Sequence, residues 1–139
     1  MALNEKEANE LLTNARKNIG KTYADMDCSH FVWQAYKDSG KEYPYRNTAM
    51  FDDLVTMGFF EKFDASYAPA EGDIVMLPKH MGIWDSKGCS IMMTNSECKN
   101  LGNDAPFLSS RSGKNRGPDY GRTEWWKGGV KAIYRWKKS

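Results

Sequence analysis

Charge of one sign is scarce in this sequence: 20 Lys and Arg against 18 Asp and Glu leave a formal charge of only +2. A protein that grips a phosphate backbone usually carries a pronounced basic excess, so nucleic acid is not an expected partner. Long apolar runs are missing as well. No segment approaches the roughly 20 apolar residues of a membrane-spanning helix, and Glu5, Lys6, Glu7 and Glu10 stand where a secretory signal would need an apolar stretch. Synthesis in the cytoplasm without a signal peptide is therefore expected, and no membrane span. Cysteine is limited to Cys28, Cys89 and Cys98, an odd count without C-x-x-C spacing, which excludes a disulfide scaffold and a zinc knuckle. Whether Cys89 and Cys98 pair with one another is left open by the sequence. Two histidines and scattered carboxylates lack metal-ligand spacing, so neither a metal nor another cofactor is expected.

What is present suffices for one compact unit. A chain of 139 residues, 40% hydrophobic and 13% aromatic, matches a single domain over 1–139 with its own core, expected to be a monomer. Asn4 and Glu7 form a capping-box pattern behind Leu3, and Ala8, Leu11, Leu12, Ala15 and Ile19 recur at helical spacing before Gly20. A second helix is predicted from Cys28 to Ser39 with Phe31, Val32 and Ala35 on one face and Gly40 as its stop. A third runs from an Asn47 cap to Met57, ended by Gly58.

The period then changes. Asp73–Leu77 and His80–Trp84 read as strands, Asp85-Ser86-Lys87-Gly88 as a turn pairing His80–Trp84 with Ser90–Thr94, and Val130–Trp136 as a last strand. Helices followed by an antiparallel sheet make an α+β domain. The stretch 95–127, rich in Gly, Ser, Asn and Arg, reads as a long connection that either binds something or is partly disordered. Its cations, Lys99, Arg111, Lys114, Arg116 and Arg122, are either solvated or meet acidic groups of a ligand. Trp125 and Trp126 beside them belong to the core or line a groove.

Cys28 opens a predicted helix, where unpaired N–H groups and the partial positive charge of the helix end favour a thiolate. His80 opens a strand that can present an imidazole to that helix tip, and a thiol facing an imidazole is what acyl transfer requires. His30 lies two positions past Cys28, roughly 200° around the helix, and reads as a residue of the outer helix face.

These residues carry a likeness. Tyr23, then Asp27-Cys28-Ser29-His30-Phe31-Val32, then Glu71-Gly72-Asp73-Ile74-Val75, then His80-Met81-Gly82-Ile83-Trp84 resemble, in order and spacing, the D-C-S-x-F-V, P-G-D-[IL]-V and H-V-G-I-Y motifs of NlpC-type cell-wall cysteine peptidases. Arg46-Asn47-Thr48-Ala49 is similar to their P-R-x-S-A segment, and the last third of the chain has no such match.

The resemblance implies a papain-like fold, Cys28 as nucleophile, His80 as base, and Tyr23, Asp27, Ser29 and Arg46 as substrate contacts or braces. It implies hydrolysis of a peptidoglycan stem-peptide amide, between D-glutamate and the diamino acid, through a cysteine acyl-enzyme. The third catalytic position counts onto Met92, whose thioether is a poor acceptor. Asn95 is the favoured substitute, with Thr94, Asp85 or a backbone carbonyl or water as alternatives. Small size and the missing signal are similar to amidase effectors delivered by type VI secretion, which act in a target cell's periplasm or wall and require a cognate immunity protein. A phage lysin, an acyltransferase on the same fold and a non-catalytic peptide-binding module are the competing readings.

Overall fold

The computed structural model describes residues 3–88, 105–112 and 117–138. Among these residues the chain forms three α-helices and a six-stranded antiparallel sheet, an α+β arrangement. Helix α1 spans Glu5–Arg16. Its capping box is closed in both directions, with Asn4 accepting from the Glu7 N–H at 2.8 Å and Glu7 accepting from the Asn4 N–H at 3.0 Å. Helix α2 spans Cys28–Asp38 and is capped by Asp27, whose carboxylate accepts from the His30 N–H. The third expected helix is broken: a single 3-10 turn over Thr48–Met50, capped by Asn47, precedes a short α3 over Asp53–Thr56.

The strands are β1 (Phe60–Asp64), β2 (Ile74–Leu77), β3 (His80–Trp84), β4 (Phe107–Ser110), β5 (Pro118–Gly121) and β6 (Ala132–Trp136), ordered β1-β6-β2-β3-β4-β5 across the sheet. Two-faced burial follows from the strand period of two. Met76, Met81, Ile83, Leu108 and Tyr134 join Cys28, Phe31, Val32 and Tyr36 in one core under the helices, while Val75, Leu77, Phe107 and Ile133 build a second cluster on the other face. Tyr36, Tyr43, Phe51, Phe60 and Trp136 meet edge-on or tilted at 5.2–5.9 Å between centroids, geometries in which each ring pair adds stability beyond area burial.

One sequence expectation lies outside the described residues and another is corrected here. The expected partner of β3, Ser90–Thr94, falls outside the described residues; β2 lies along one edge of β3 through a two-residue turn, Pro78-Lys79, and β4 pairs with the other at Ile83 and Trp84. The stretch 95–127 is also more than a connection, because it contains β4, β5 and a 3-10 turn over Thr123–Trp125. Arg111, one of the loop cations read as either solvated or ligand-facing, is buried with its guanidinium over the Trp125 ring.

Close β3–β4 packing depends on Gly82. A Cβ there would lie 2.6 Å from the Phe107 ring and 2.7 Å from the Leu108 carbonyl oxygen, and the latter is backbone that cannot rotate aside. Gly82→Ala is expected to destabilise the fold by about 1–3 kcal/mol, the usual cost of overpacking. Urea unfolding of the two proteins at one pH measures it, and an unchanged midpoint would contradict the packing described.

Candidate active site

Cys28 is the first residue of α2 because Asp27 ends the preceding turn in extended geometry and caps the helix. Apolar residues Phe31, Val32 and Ala35, all fully buried, then hold the helix against the sheet. The cysteine is 5% exposed. The Thr48 hydroxyl stands 3.8 Å from its sulfur, and Cys28 lies in the core cluster that also holds Met81 of β3, whose backbone N–H acts on the thiol's ionisation together with that of Ser29. The Cys28 N–H itself makes no hydrogen bond among the described residues.

A thiolate is not the favoured state of this sulfur. Burial raises the thiol above its ordinary value, and the Asp27 carboxylate adds to that. The Met81 N–H, the Thr48 hydroxyl and the Ser29 N–H pull the other way without prevailing. The expectation of a thiol lowered by its helix end is thus reversed: the donors act as expected, but the packing that places the cysteine also removes its water.

His80 is 6% exposed. Its Nε2 lies 3.0 Å from Ser109 Oγ on β4. One ring face stacks on Trp126 at 4.4 Å and 12°, and Phe107 meets the ring edge-on at 5.6 Å. Burial, with the Arg111 charge second, brings the imidazole down to about 4 from its ordinary 6.5. At neutral pH the ring is uncharged. With Nε2–H donating to Ser109, Nδ1 keeps a lone pair free to take a proton.

Among the described residues no hydrogen bond joins the sulfur to this ring. Cys28 lies with Met81 in the core under the helices, whereas the imidazole packs with Phe107 and Trp126 of the second cluster. The two groups are carried by α2 and β3, which pack against one another.

Three of the four expected substrate contacts surround the cysteine. Tyr23 is close enough for the charges of Cys28 and Asp27 to act on its phenol, which burial, the largest influence, raises. Ser29 is buried, with its hydroxyl 2.6 Å from Tyr45 Oη and 3.2 Å from Asp27. Asp27 also accepts from the exposed His30 ring at 2.8 Å, and that ring stacks on Tyr45. Its carboxyl is held below the usual range: these hydrogen bonds outweigh burial, the largest single influence. Arg46 is not brought to the sulfur, because its guanidinium is engaged by Asp53 and by the Tyr45 carbonyl.

Asn95, Thr94 and Met92 lie outside the described residues, as do Cys89 and Cys98. Asp85 does not serve the imidazole, since Arg16 at 2.8 Å and Tyr120 at 2.8 Å occupy its fully buried carboxylate. Ser109 holds the place beside the ring, and sequence reasoning missed it because β4 was not recognised. Thr48 and Tyr45 were missed too. The only signal was their place in the segment flanking Arg46.

Around this centre open three hollows, of about 620 Å³ against Thr48, about 220 Å³ against His80, Arg111 and Trp125, and about 450 Å³ against Tyr23 and Asp27. Among the described residues no cluster of His, Cys, Asp and Glu could hold a metal ion, and no helix is long and apolar enough to cross a membrane. No family model matches the chain, and neither do any curated protein or solved structure.

The neutral buried ring has a consequence for stability. In the unfolded chain the imidazole protonates below about 6.5, but in the fold only near 4. Its contribution is intact above pH 6.5 and is lost as pH falls toward 4, on the order of 3 kcal/mol across that window. The urea midpoint of the native protein should fall through this range, and His80→Gln should remove most of that slope. An equal slope in both proteins would show that His80 does not titrate as described.

Proposed function

We propose that the protein is a cysteine amidase or endopeptidase of NlpC-like, papain-like design, cleaving a stem-peptide amide of peptidoglycan. The observation that carries this reading is the packing of α2, which Cys28 opens, against β3, which His80 opens, so that the candidate nucleophile and the candidate base stand on two elements in contact. The motif resemblance supplies the substrate class.

In the proposed reaction the Cys28 sulfur attacks the amide carbon while its proton passes to Nδ1 of His80. The carbonyl oxygen gains negative charge and takes a hydrogen bond from the Cys28 N–H at the helix tip. Collapse breaks the C–N bond, and the imidazolium returns its proton to the leaving amine. Water, deprotonated by the same ring, then cleaves the thioester and restores the thiol. Ser109 acts as a positioning residue, holding the tautomer with Nδ1 unprotonated. Among the described residues the sulfur and the imidazole share no hydrogen bond, and in this scheme one forms with substrate in place, as catalytic hydrogen bonds often do.

Both groups are neutral at rest, so the ring must be deprotonated for attack. The acid limb of kcat/KM should therefore fall near pH 4, the value of His80, with activity sustained through neutrality. Delivery into the periplasm or wall of a target cell, and a cognate immunity protein, complete the proposal as a type VI-like antibacterial effector.

A second reading, a peptide-binding module without catalysis, is favoured by one observation: the imidazole packs with the second cluster rather than on the sulfur. Muropeptides incubated with purified protein decide between them. Mass analysis should show products cut at a stem-peptide amide, none with Cys28→Ala, and about 10- to 100-fold slower cutting with Ser109→Ala, the scale of a misplaced catalytic group. Intact muropeptides, or equal cutting by Cys28→Ala, would reject the amidase. Products joined to an added amine would indicate an acyltransferase instead.

A further inference from the structure

A hollow of about 620 Å³ is bounded by Thr48, whose hydroxyl also stands 3.8 Å from the sulfur. Met76 and Ala132, of the same core cluster as Cys28, give it an apolar part of its lining. Its one carboxylate, Asp52, is already neutralised by Lys62 at 3.0 Å and hydrogen-bonded by the Tyr134 hydroxyl. Two further cations line it, Lys79 and Lys131, both exposed, and their ammonium groups form no ion pair or hydrogen bond among the described residues.

We infer that this hollow is a subsite for a free carboxylate of the substrate, held by Lys79 and Lys131 beside the scissile amide. The inference rests on the amidase reading and names the charge of the group next to the cut bond.

Two placements support it. Lys79 ends the β2–β3 turn and Lys131 immediately precedes β6, with its N–H on the Met76 carbonyl, so both cations rise from one end of the sheet. Lys79 also has φ +57°, the only positive value at a non-glycine residue among the described residues. A two-residue turn with Pro first and a left-handed residue second ordinarily takes glycine or asparagine there. The sequence keeps a long cationic side chain where a smaller residue would sit with less strain, and strain of this kind gathers at ligand-binding positions. A partly apolar lining that also holds cations fits a carboxylate on a short aliphatic stem, such as an acidic or diamino-acid residue of a stem peptide.

The test compares a stem peptide bearing free carboxylates with the same peptide in which those next to the scissile amide are carboxamides. The native protein should prefer the acid by at least tenfold in kcat/KM, carried by KM and weakened by added salt. In Lys79→Ala/Lys131→Ala the acid-to-carboxamide ratio should collapse toward one. Lys79→Gly relieves the turn, so it should raise the thermal midpoint while still lowering that ratio, which separates lost charge from lost folding. An undiminished ratio, or equal losses on both peptides, would overturn the subsite. Should the native protein cut neither peptide, the amidase reading fails separately. Calorimetric titration of Cys28→Ala protein with the acid peptide then judges the subsite: a Kd raised at least tenfold by the lysine substitutions keeps it, and an equal Kd or no binding overturns it.

Discussion

The contact on which the rest depends is the first turn of α2 pressed against the backbone of β3. Asp27 fixes where the helix begins, and the buried Phe31, Val32 and Ala35 fix how it lies. Strand β3 cannot move away, being laddered to β2 on one edge and to β4 on the other. Cys28 is thereby held in the core cluster that also contains Met81 of that strand. The same packing strips it of water, and desolvation outweighs the donors gathered around it. Position and ionisation are opposed consequences of one burial.

The imidazole obeys the same rule from the other side of the strand. Trp126 and Phe107 orient its plane, Ser109 engages Nε2, and the enclosure that fixes it also keeps it neutral. A carboxylate at the place of Ser109 would favour the imidazolium, but a hydroxyl does not. The thiol and the imidazole are therefore both uncharged, which on the proposed reading suits them to moving a proton during attack rather than storing a charge beforehand.

Local signals in the sequence were legible where local physics decides the outcome. The Asn4–Glu7 box, the start of α2 at Cys28 and the bounds of β3 were all readable, because caps and strand alternation act over a few residues. Strand β4 was not, since Phe107-Leu108-Ser109-Ser110 lacks an alternating pattern and becomes a strand only through its neighbours β3 and β5. Ser109 was lost with it. The edge strand β1 was missed for a similar reason: Glu61 and Lys62 give Phe60–Asp64 a polar look, and pairing with β6 is what makes it a strand. The direction of the Cys28 shift was illegible because a helix end is a local property, whereas burial is tertiary.

A neutral thiol under α2 is also a protected one. The thiolate is the form that reacts with oxidants and disulfides, and a cysteine raised by burial stays inert toward them. On the proposed reading this protein would travel outside the compartment where it is made, and an always-ionised nucleophile would be exposed to oxidation on the way. An uncharged sulfur beside an uncharged ring avoids that, provided substrate itself brings the two together. Thr48, whose hydroxyl stands 3.8 Å from the sulfur, bounds one hollow, and His80 itself lines another with Arg111 and Trp125. On the proposed reading, reactivity would then arise with binding and not before it.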